Sequence, residues 1–300
     1  MGFGLRAPKT KIRGRDLSGT VEAVGRNITK FAPGEEVYGT ANGTFAEYTT
    51  TTEALLSPKP TTLTHEEAAT VPISGSTALQ AIKAAKVKRG DRVLILGATG
   101  GVGGFALQPA KHTGAHVTAV CSTTKLVLAT KLGANEVIDH TRDSPTGPYD
   151  VILDTAGNRP LRTLRNLLTP RGTAVLIGAE TQDPWFGGVD RTLRATLWTP
   201  FLRHTLVPLM TTERAEDFTH LATLLCTRRE LTPTGRPGSA APGGPPHAPR
   251  RRDTALSSGS FFRSISFPGN MLGQGNRVAV IRLRDGGYTE FDTSGGDSGS

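Results

Sequence analysis

One stretch, Asp91–Gly114, constrains this fold more than any other. RVLIL (Arg92–Leu96) is a continuous apolar run, GATGGVG (Gly97–Gly103) follows it, and Val102–His112 then has the length and pattern of a helix. Continuous apolar runs mark strands buried on both faces. In the turn, Gly100 permits a tight bend, Gly101 lets the backbone approach a phosphate, and Gly103 lets the helix pack close to the strand. The free amides and positive end of such a helix favour a pyrophosphate. The glycine pattern alone is weak; its position between a strand and a helix, with a second strand about 20 residues on, gives it weight. A turn kept for packing alone is the competing reading. Pro109 complicates the helix: it removes the amide that would bond Phe105 and crowds that carbonyl, at a cost of about 3 kcal/mol in a straight helix. A kink or an early widening is expected there.

The alternation continues. HVTAVC, YDVILD and GTAVLIG are further apolar runs, and Lys125–Leu132 and Leu161–Leu168 have helical length and pattern between them. Gly133 takes the usual place after a helix C-terminus. This order predicts an α/β fold with a parallel sheet wrapped by helices. Upstream, SGTVEAVG (Ser18–Gly25), EEVYG (Glu35–Gly39) and TFAEYTTT (Thr44–Thr51) read as short strands between turns. Thr64 with Glu67 forms a capping-box pattern. Pro72 then breaks the run, and a second helix is expected after Gly75. Residues 190–229 read as helical, with WTPFLRHTLVPLM as an apolar patch.

Beyond that the composition changes. The segment 232–253 is rich in Pro, Gly and Ala with an Arg cluster. It offers too little apolar area to offset the entropy of ordering, so no fixed structure is expected. NRVAVIRLRDGGYTEFDT has the pattern of a hairpin around Asp285–Gly287, and a lone hairpin is marginal. The whole chain is 36% hydrophobic with 36 Gly and 20 Pro, which fits a packed core plus a segment that does not pack. The net charge of +9 suits an anionic ligand or an arginine-rich surface. Without a Lys/Arg run interleaved with aromatics, no nucleic-acid partner is expected. Cys121 and Cys226 lie far apart, which argues against a disulfide scaffold and for a reducing compartment. No run approaches the roughly 18 apolar residues of a membrane span, and the first residues lack a signal-peptide core. A cytoplasmic, soluble protein is expected.

The end of the second parallel strand selects the ligand. An acid there would bind the ribose hydroxyls of NAD. Here the sequence is VTAVCSTTK, so Ser122, Thr123 and Lys125 offer hydroxyls and a cation, which suit a 2′-phosphate and hence NADP(H), with NAD(H) second. An ordinary helix cap with a solvated lysine is the alternative.

GATGGVGGFALQPAKHTGAHVTAVCSTTK, KLGANEVIDH, YDVILDTAGN and LLTPRGTAVLIG together resemble the medium-chain dehydrogenase/reductases, most of all the zinc-independent quinone oxidoreductases and related NAD(P)-dependent reductases. GRDLSGTVEAVG, FAPGEEVYG, TFAEYTTTTEALLSPKP and HEEAATVPISGSTALQA resemble the family's N-terminal domain. The resemblance implies a Rossmann-type parallel sheet with helices on both faces, plus an incomplete N-terminal GroES-like β-barrel domain. It divides the chain into a partial GroES-like catalytic domain (1–70), a cofactor-binding domain (71–230) and a low-complexity tail (231–300). It further implies that Gly100, Gly101, Val102 and Gly103 cradle the pyrophosphate. Lys125 falls where the family places a basic residue for the 2′-phosphate, and His140 where it commonly has Tyr beside that phosphate. Thr77 matches a Thr near the nicotinamide, and Asn158 and Gly178 end later strands along the cofactor. For His140 a surface histidine, and for Thr77 helix packing, are the plainer readings.

The resemblance also sets expectations of absence. Zinc members read Gly-His-Glu where this chain has Gly14-Arg15-Asp16, and neither cysteine sits in a ligand motif, so no metal is expected. His65-Glu66-Glu67 is not a zincin motif, because position 69 is Ala. The short-chain dehydrogenases need Tyr-x-x-x-Lys. Tyr38, Tyr48, Tyr149 and Tyr288 are followed four residues on by Asn42, Thr52, Leu153 and Asp292, which argues against that class. The implied reaction is hydride transfer from NADPH to a quinone, an enone or another small carbonyl compound. A hydrogen-bond donor must then stabilise the developing charge; no residue is assigned to that task, and Tyr38 is the tyrosine considered. Against the family pattern the chain begins inside the barrel and diverges near Leu231–Pro233. A catalytically impaired NADPH-binding remnant or interaction protein is therefore the alternative, and a homodimer is left open.

Overall fold

The computed structural model describes residues 12–177 and 203–228, and the backbone of the strand 278–282. Six parallel strands form the larger sheet: β5 (Arg92–Leu96), β6 (His116–Cys121), β7 (Glu136–Asp139), β8 (Tyr149–Asp154), β9 (Leu168–Leu176) and β10 (Thr205–Pro208). Their order is β10-β9-β8-β5-β6-β7. The chain therefore reverses direction across the sheet beside β5, the arrangement that opens a ligand crevice at the carboxyl ends of the strands.

Both faces of this sheet are buried, and β5 shows how. Val93 and Ile95 join one apolar cluster while Leu94 and Leu96 join another on the opposite face, the two-residue period of a strand. The first cluster is closed by α2 (Pro72–Ala85), α3 (Gly101–His112) and α6 (Ala215–Arg228). The second is closed by α5 (Leu161–Asn166). Helices thus cover both faces of a parallel sheet, as the apolar runs predict. The short helices α1 (His65–Ala68) and α4 (Leu126–Lys131) complete the set. Among the described residues no helix is long and apolar enough to cross a membrane.

The smaller sheet is antiparallel and five-stranded, in the order β3-β11-β1-β2-β4. It is built from β1 (Asp16–Val24), β2 (Glu36–Thr40), β3 (Tyr48–Thr52), β4 (Leu56–Pro58) and β11 (Val278–Arg282). Leu17, Val21, Phe31, Val37 and Leu56 form its own core. Contacts at α2 and at or beside α6 join it to the larger unit, among them Tyr38 to Phe218 and Ser57 to Thr219. The amide of Ile73, in the first turn of α2, donates to Asp16 Oδ1 at 2.8 Å. Arg15 donates to Asn42 at 2.6 Å and pairs with Glu213.

Several expectations change here. The capping box of Thr64 and Glu67 forms as predicted, but Pro72 does not delay the next helix to Gly75. It is the first residue of α2, where a missing amide costs nothing. Residues 205–208, read as helical, form β10; Thr-Leu-Val-Pro pairs with Thr173–Leu176 and closes the sheet edge. Residues 190–202 and the tail up to 277 lie outside the described residues. Within the tail, Val278–Arg282 is a strand. It inserts between β1 and β3, pairing antiparallel with both, and the other arm of the expected hairpin lies outside the described residues. Long-range pairing supplies the neighbours that an isolated hairpin lacks.

Pro109 sits inside α3, which continues as an α-helix to His112 without the expected widening. Only one turn follows it. Its carbonyl accepts from both the amide and the hydroxyl of Thr113, each at 2.9 Å, so the last turn is closed by a side chain as well as by the main chain.

Candidate functional site

The site begins at the end of β5. The amides of Gly97 and Ala98 both donate to Val120 O, at 3.1 and 3.0 Å, so the chain leaves β5 tightly against β6. Gly97 has φ +76°, which favours glycine. Gly100 follows as the N-cap of α3 and has no side chain to cap the first turn. The N-terminus of this twelve-residue helix therefore carries no side-chain cap. Gly103 explains the close packing: a Cβ there would stand 2.2 Å from Gly97 O and 2.8 Å from Ala98 Cα. A Cβ at Gly101 would meet Ser74 Oγ, on α2, at 2.8 Å.

A cleft of about 420 Å³ opens at this turn. Gly97, Thr99 and Gly100 line it from β5, Cys121, Ser122 and Lys125 from β6, His140 from β7, and Thr155, Asn158 and Arg159 from β8. Residues up to 62 positions apart thus meet because four parallel strands end side by side. Of the residues expected from the sequence, Gly100, Ser122, Lys125, His140 and Asn158 line the cleft. Gly101, Val102 and Gly103 form the first turn of α3 beside it.

The remaining three expectations fare differently. Thr77 is buried within α2 and does not line the cleft. Thr123 turns its hydroxyl away from the cleft to Asp139 Oδ2, at 2.5 Å. Gly178 lies outside the described residues. Tyr38, considered as a proton donor, is fully buried, and its hydroxyl donates to Phe218 O. That bond removes it from any surface where a substrate could reach it.

Sequence reasoning missed Thr99, Cys121, Thr155 and Arg159. The usable signal was positional: each lies within a few residues of the carboxyl end of a predicted parallel strand. Thr155 donates to Leu96 O at 2.6 Å and so joins β8 to the β5 turn. Burial pushes the Cys121 thiol up, partly offset by a hydrogen bond with Thr99, so it lines the cleft as a neutral group. Among the described residues Lys125 and Arg159 have no ion-pair partner. With His140 they give the cleft a cationic, hydroxyl-bearing wall, which suits a phosphorylated ligand. Among the described residues no group of three or more His, Cys, Asp and Glu stands close enough to hold a metal ion.

Comparison with known proteins agrees with this architecture. Residues 2–61 match the family model described as "Alcohol dehydrogenase GroES-like domain", and residues 101–198 match "Zinc-binding dehydrogenase". The chain is 39% identical over 193 residues to the mitochondrial NAD(P)H oxidoreductase RTN4IP1 of Mus musculus, covering 59% of this chain and 48% of that protein. It is 30% identical over 227 residues to the chloroplast envelope quinone oxidoreductase homolog of Arabidopsis thaliana, covering 70% and 67%. The solved quinone oxidoreductase of Coxiella burnetii superposes with a TM-score of 0.63 at 26% identity, covering 73% of this chain and 68% of that one. The chain spans about half the length, or less, of the RTN4IP1 relatives from mouse, human, cattle and zebrafish. The parallel sheet with its glycine turn, the antiparallel sheet before it, and these relatives agree: the chain belongs to the medium-chain dehydrogenase/reductase superfamily.

Proposed function

We propose that this chain is an NADPH-dependent oxidoreductase that passes hydride to a quinone, an enone or another small carbonyl compound without zinc. The observation that carries the reading is the convergence of Gly100, Ser122, Lys125, His140 and Asn158 on one cleft at the ends of four parallel strands. The names of the relatives support the reaction class: NAD(P)H oxidoreductase, 2-methylene-furan-3-one reductase and NADPH-dependent alkenal/one oxidoreductase are each at least 33% identical over their matched segments.

The nicotinamide cofactor supplies the hydride; the protein binds and orients it. In this reading the first turn of α3 takes the pyrophosphate. Lys125 and His140 face the 2′-phosphate, Ser122 offers it a hydroxyl, and Arg159 adds a second cation to the wall. No carboxylate ends β6 to select the unphosphorylated ribose. Zinc independence belongs to the same proposal, and metal analysis of the purified protein tests it.

A second reading, cofactor binding without turnover, is favoured by one observation. The hydroxyl of Tyr38 is committed to Phe218 and does not serve as the proton source. Melting temperature with NADPH and with NADH, followed by NADPH oxidation with a model quinone, separates the two. The reductase reading expects a larger rise with NADPH and quinone-dependent oxidation. Stabilisation without oxidation selects the binding protein. No response to either nucleotide rejects both.

A further inference from the structure

We propose that Asp139 is a positioning residue that sets the preference for a 2′-phosphorylated dinucleotide, by fastening the turn that carries Lys125 to the strand end that carries His140. The inference rests on the cofactor reading above.

Asp139 is the last residue of β7 and stands opposite Cys121, the last residue of β6. Beyond this point the two strands part, and the residues facing the cleft sit on separate loops. The loop after β6 is a short 3-10 turn, Thr123–Lys125. The loop after β7 is His140–Arg142. The main chain joins the strand ends through His140 N to Cys121 O at 3.1 Å, and within the loops it bonds Lys125 N to Ser122 O at 2.9 Å and Arg142 N and Asp143 N to Asp139 O at 3.1 and 2.9 Å. None of these holds the Thr123 turn to the Thr141 turn.

The Asp139 carboxylate does. Its Oδ2 accepts from the Thr123 hydroxyl at 2.5 Å. Its Oδ1 accepts from the amide of Thr141 at 3.0 Å and from the Thr141 hydroxyl at 2.8 Å. The two hydroxyls lie 3.3 Å apart. Three donors from two loops thus converge on one side chain that is only 7% exposed. An ionised carboxylate suits this place because both oxygens accept and neither donates. An amide would set an NH₂ group against one of the donors.

The arrangement also answers an electrostatic objection. A carboxylate near a phosphate site should repel the ligand, yet Asp139 does not line the cleft. Its oxygens accept three hydrogen bonds, and Arg142 Nε lies 3.8 Å from Oδ2. The Thr123 hydroxyl and the Thr141 amide hold its carboxyl down at about 2, so the tie persists over the whole working pH range. What reaches the ligand is the consequence: two cationic or hydrogen-bonding groups, Lys125 and His140, presented to one cleft.

The test compares dissociation constants for NADPH and NADH in wild type, Asp139→Ala, Asp139→Asn, Thr123→Val and Lys125→Ala, with circular dichroism to confirm folding. Asp139→Ala is expected to weaken NADPH about tenfold while NADH changes less than about twofold. Asp139→Asn should recover part of the loss. Thr123→Val, which keeps the charge and breaks the inter-loop bond, should shift the ratio in the same direction and serves as the decisive variant if Asp139→Ala does not fold. An unchanged NADPH:NADH ratio in Asp139→Ala and Thr123→Val, or equal losses for both nucleotides, overturns the proposal. Lys125→Ala separates the two levels. If it too leaves the ratio unchanged, the cofactor reading itself has failed; if it alone lowers NADPH, only the role of Asp139 has.

Discussion

The hydroxyl of Tyr38, on β2, donates to the main-chain carbonyl of Phe218, on α6, at 2.5 Å, and the two rings lie tilted with centroids 6.2 Å apart. One side chain of the antiparallel sheet thereby anchors a helix that packs on the parallel one. Tyr38→Phe keeps the ring contact and removes the bond. Stability in urea should fall by about 1 kcal/mol. The affinity for NADPH should be unchanged, because Tyr38 does not line the cleft. A loss of affinity without a loss of stability would return Tyr38 to the site.

Gly103 and Gly100 make a matched pair. A Cβ at 103 collides with Gly97 O and Ala98 Cα, whereas a Cβ at 100 meets only Gly97 O, at 3.3 Å. Gly103→Ala should destabilise by about 1–3 kcal/mol and abolish stabilisation by NADPH, since α3 must move off β5. Gly100→Ala should melt close to wild type. Equal melting temperatures for the two variants would show that α3 does not depend on this approach.

Pro109 is the residue of α3 that works most strongly against its own helix. Phe105 O has no amide to accept there, and only one helical turn follows. Pro109→Ala restores that donor and should stabilise the protein by up to about 3 kcal/mol, read as a higher urea midpoint. A lower midpoint would mean that the ring packs into the core more than it strains the helix.

Asp16 gives the protein a pH dependence of defined sign. Burial pushes its carboxyl up to about 6; the Ile73 amide opposes this and Glu213 adds to it. The folded state therefore holds this proton more tightly than the unfolded chain, whose Asp titrates near 3.8. Stability from this group falls as pH rises from about 4 to about 6, by something on the order of 3 kcal/mol, and stays lowered above that. Asp16→Asn keeps an acceptor for Ile73 and removes the titration. Its urea midpoint should change less between pH 4.5 and pH 7.5 than that of wild type. Parallel pH profiles would contradict the assignment.

What the sequence revealed, and what it hid, follows from the range of the interactions involved. The β5–α3 unit was legible because strand, turn and helix are contiguous and each glycine has a local steric reason. The ends of β6 and β8 were legible because apolar runs locate strand ends, whereas the end of β7 was read only from the family resemblance of KLGANEVIDH. β10 was not: Thr-Leu-Val-Pro is too short to distinguish strand from helix, and only the exposed edge of β9 decides it. β11 was not, because its partners, β1 and β3, lie more than 200 residues away. At the site, Lys125 could be named from its position after the second strand, and His140 from the family resemblance. The engagement of Thr123 by Asp139 could not, since it depends on how two loops meet across 16 residues.

The central claim is that Lys125 reads the 2′-phosphate of NADPH. Titration calorimetry of wild type and Lys125→Glu with NADPH and NADH tests it most directly. Wild type should bind NADPH more tightly than NADH. The variant should lose roughly tenfold or more for NADPH and less than about twofold for NADH, the pattern expected when a charge-assisted contact to one phosphate becomes a repulsion. Equal losses for both nucleotides, or a wild type that prefers NADH, would contradict it.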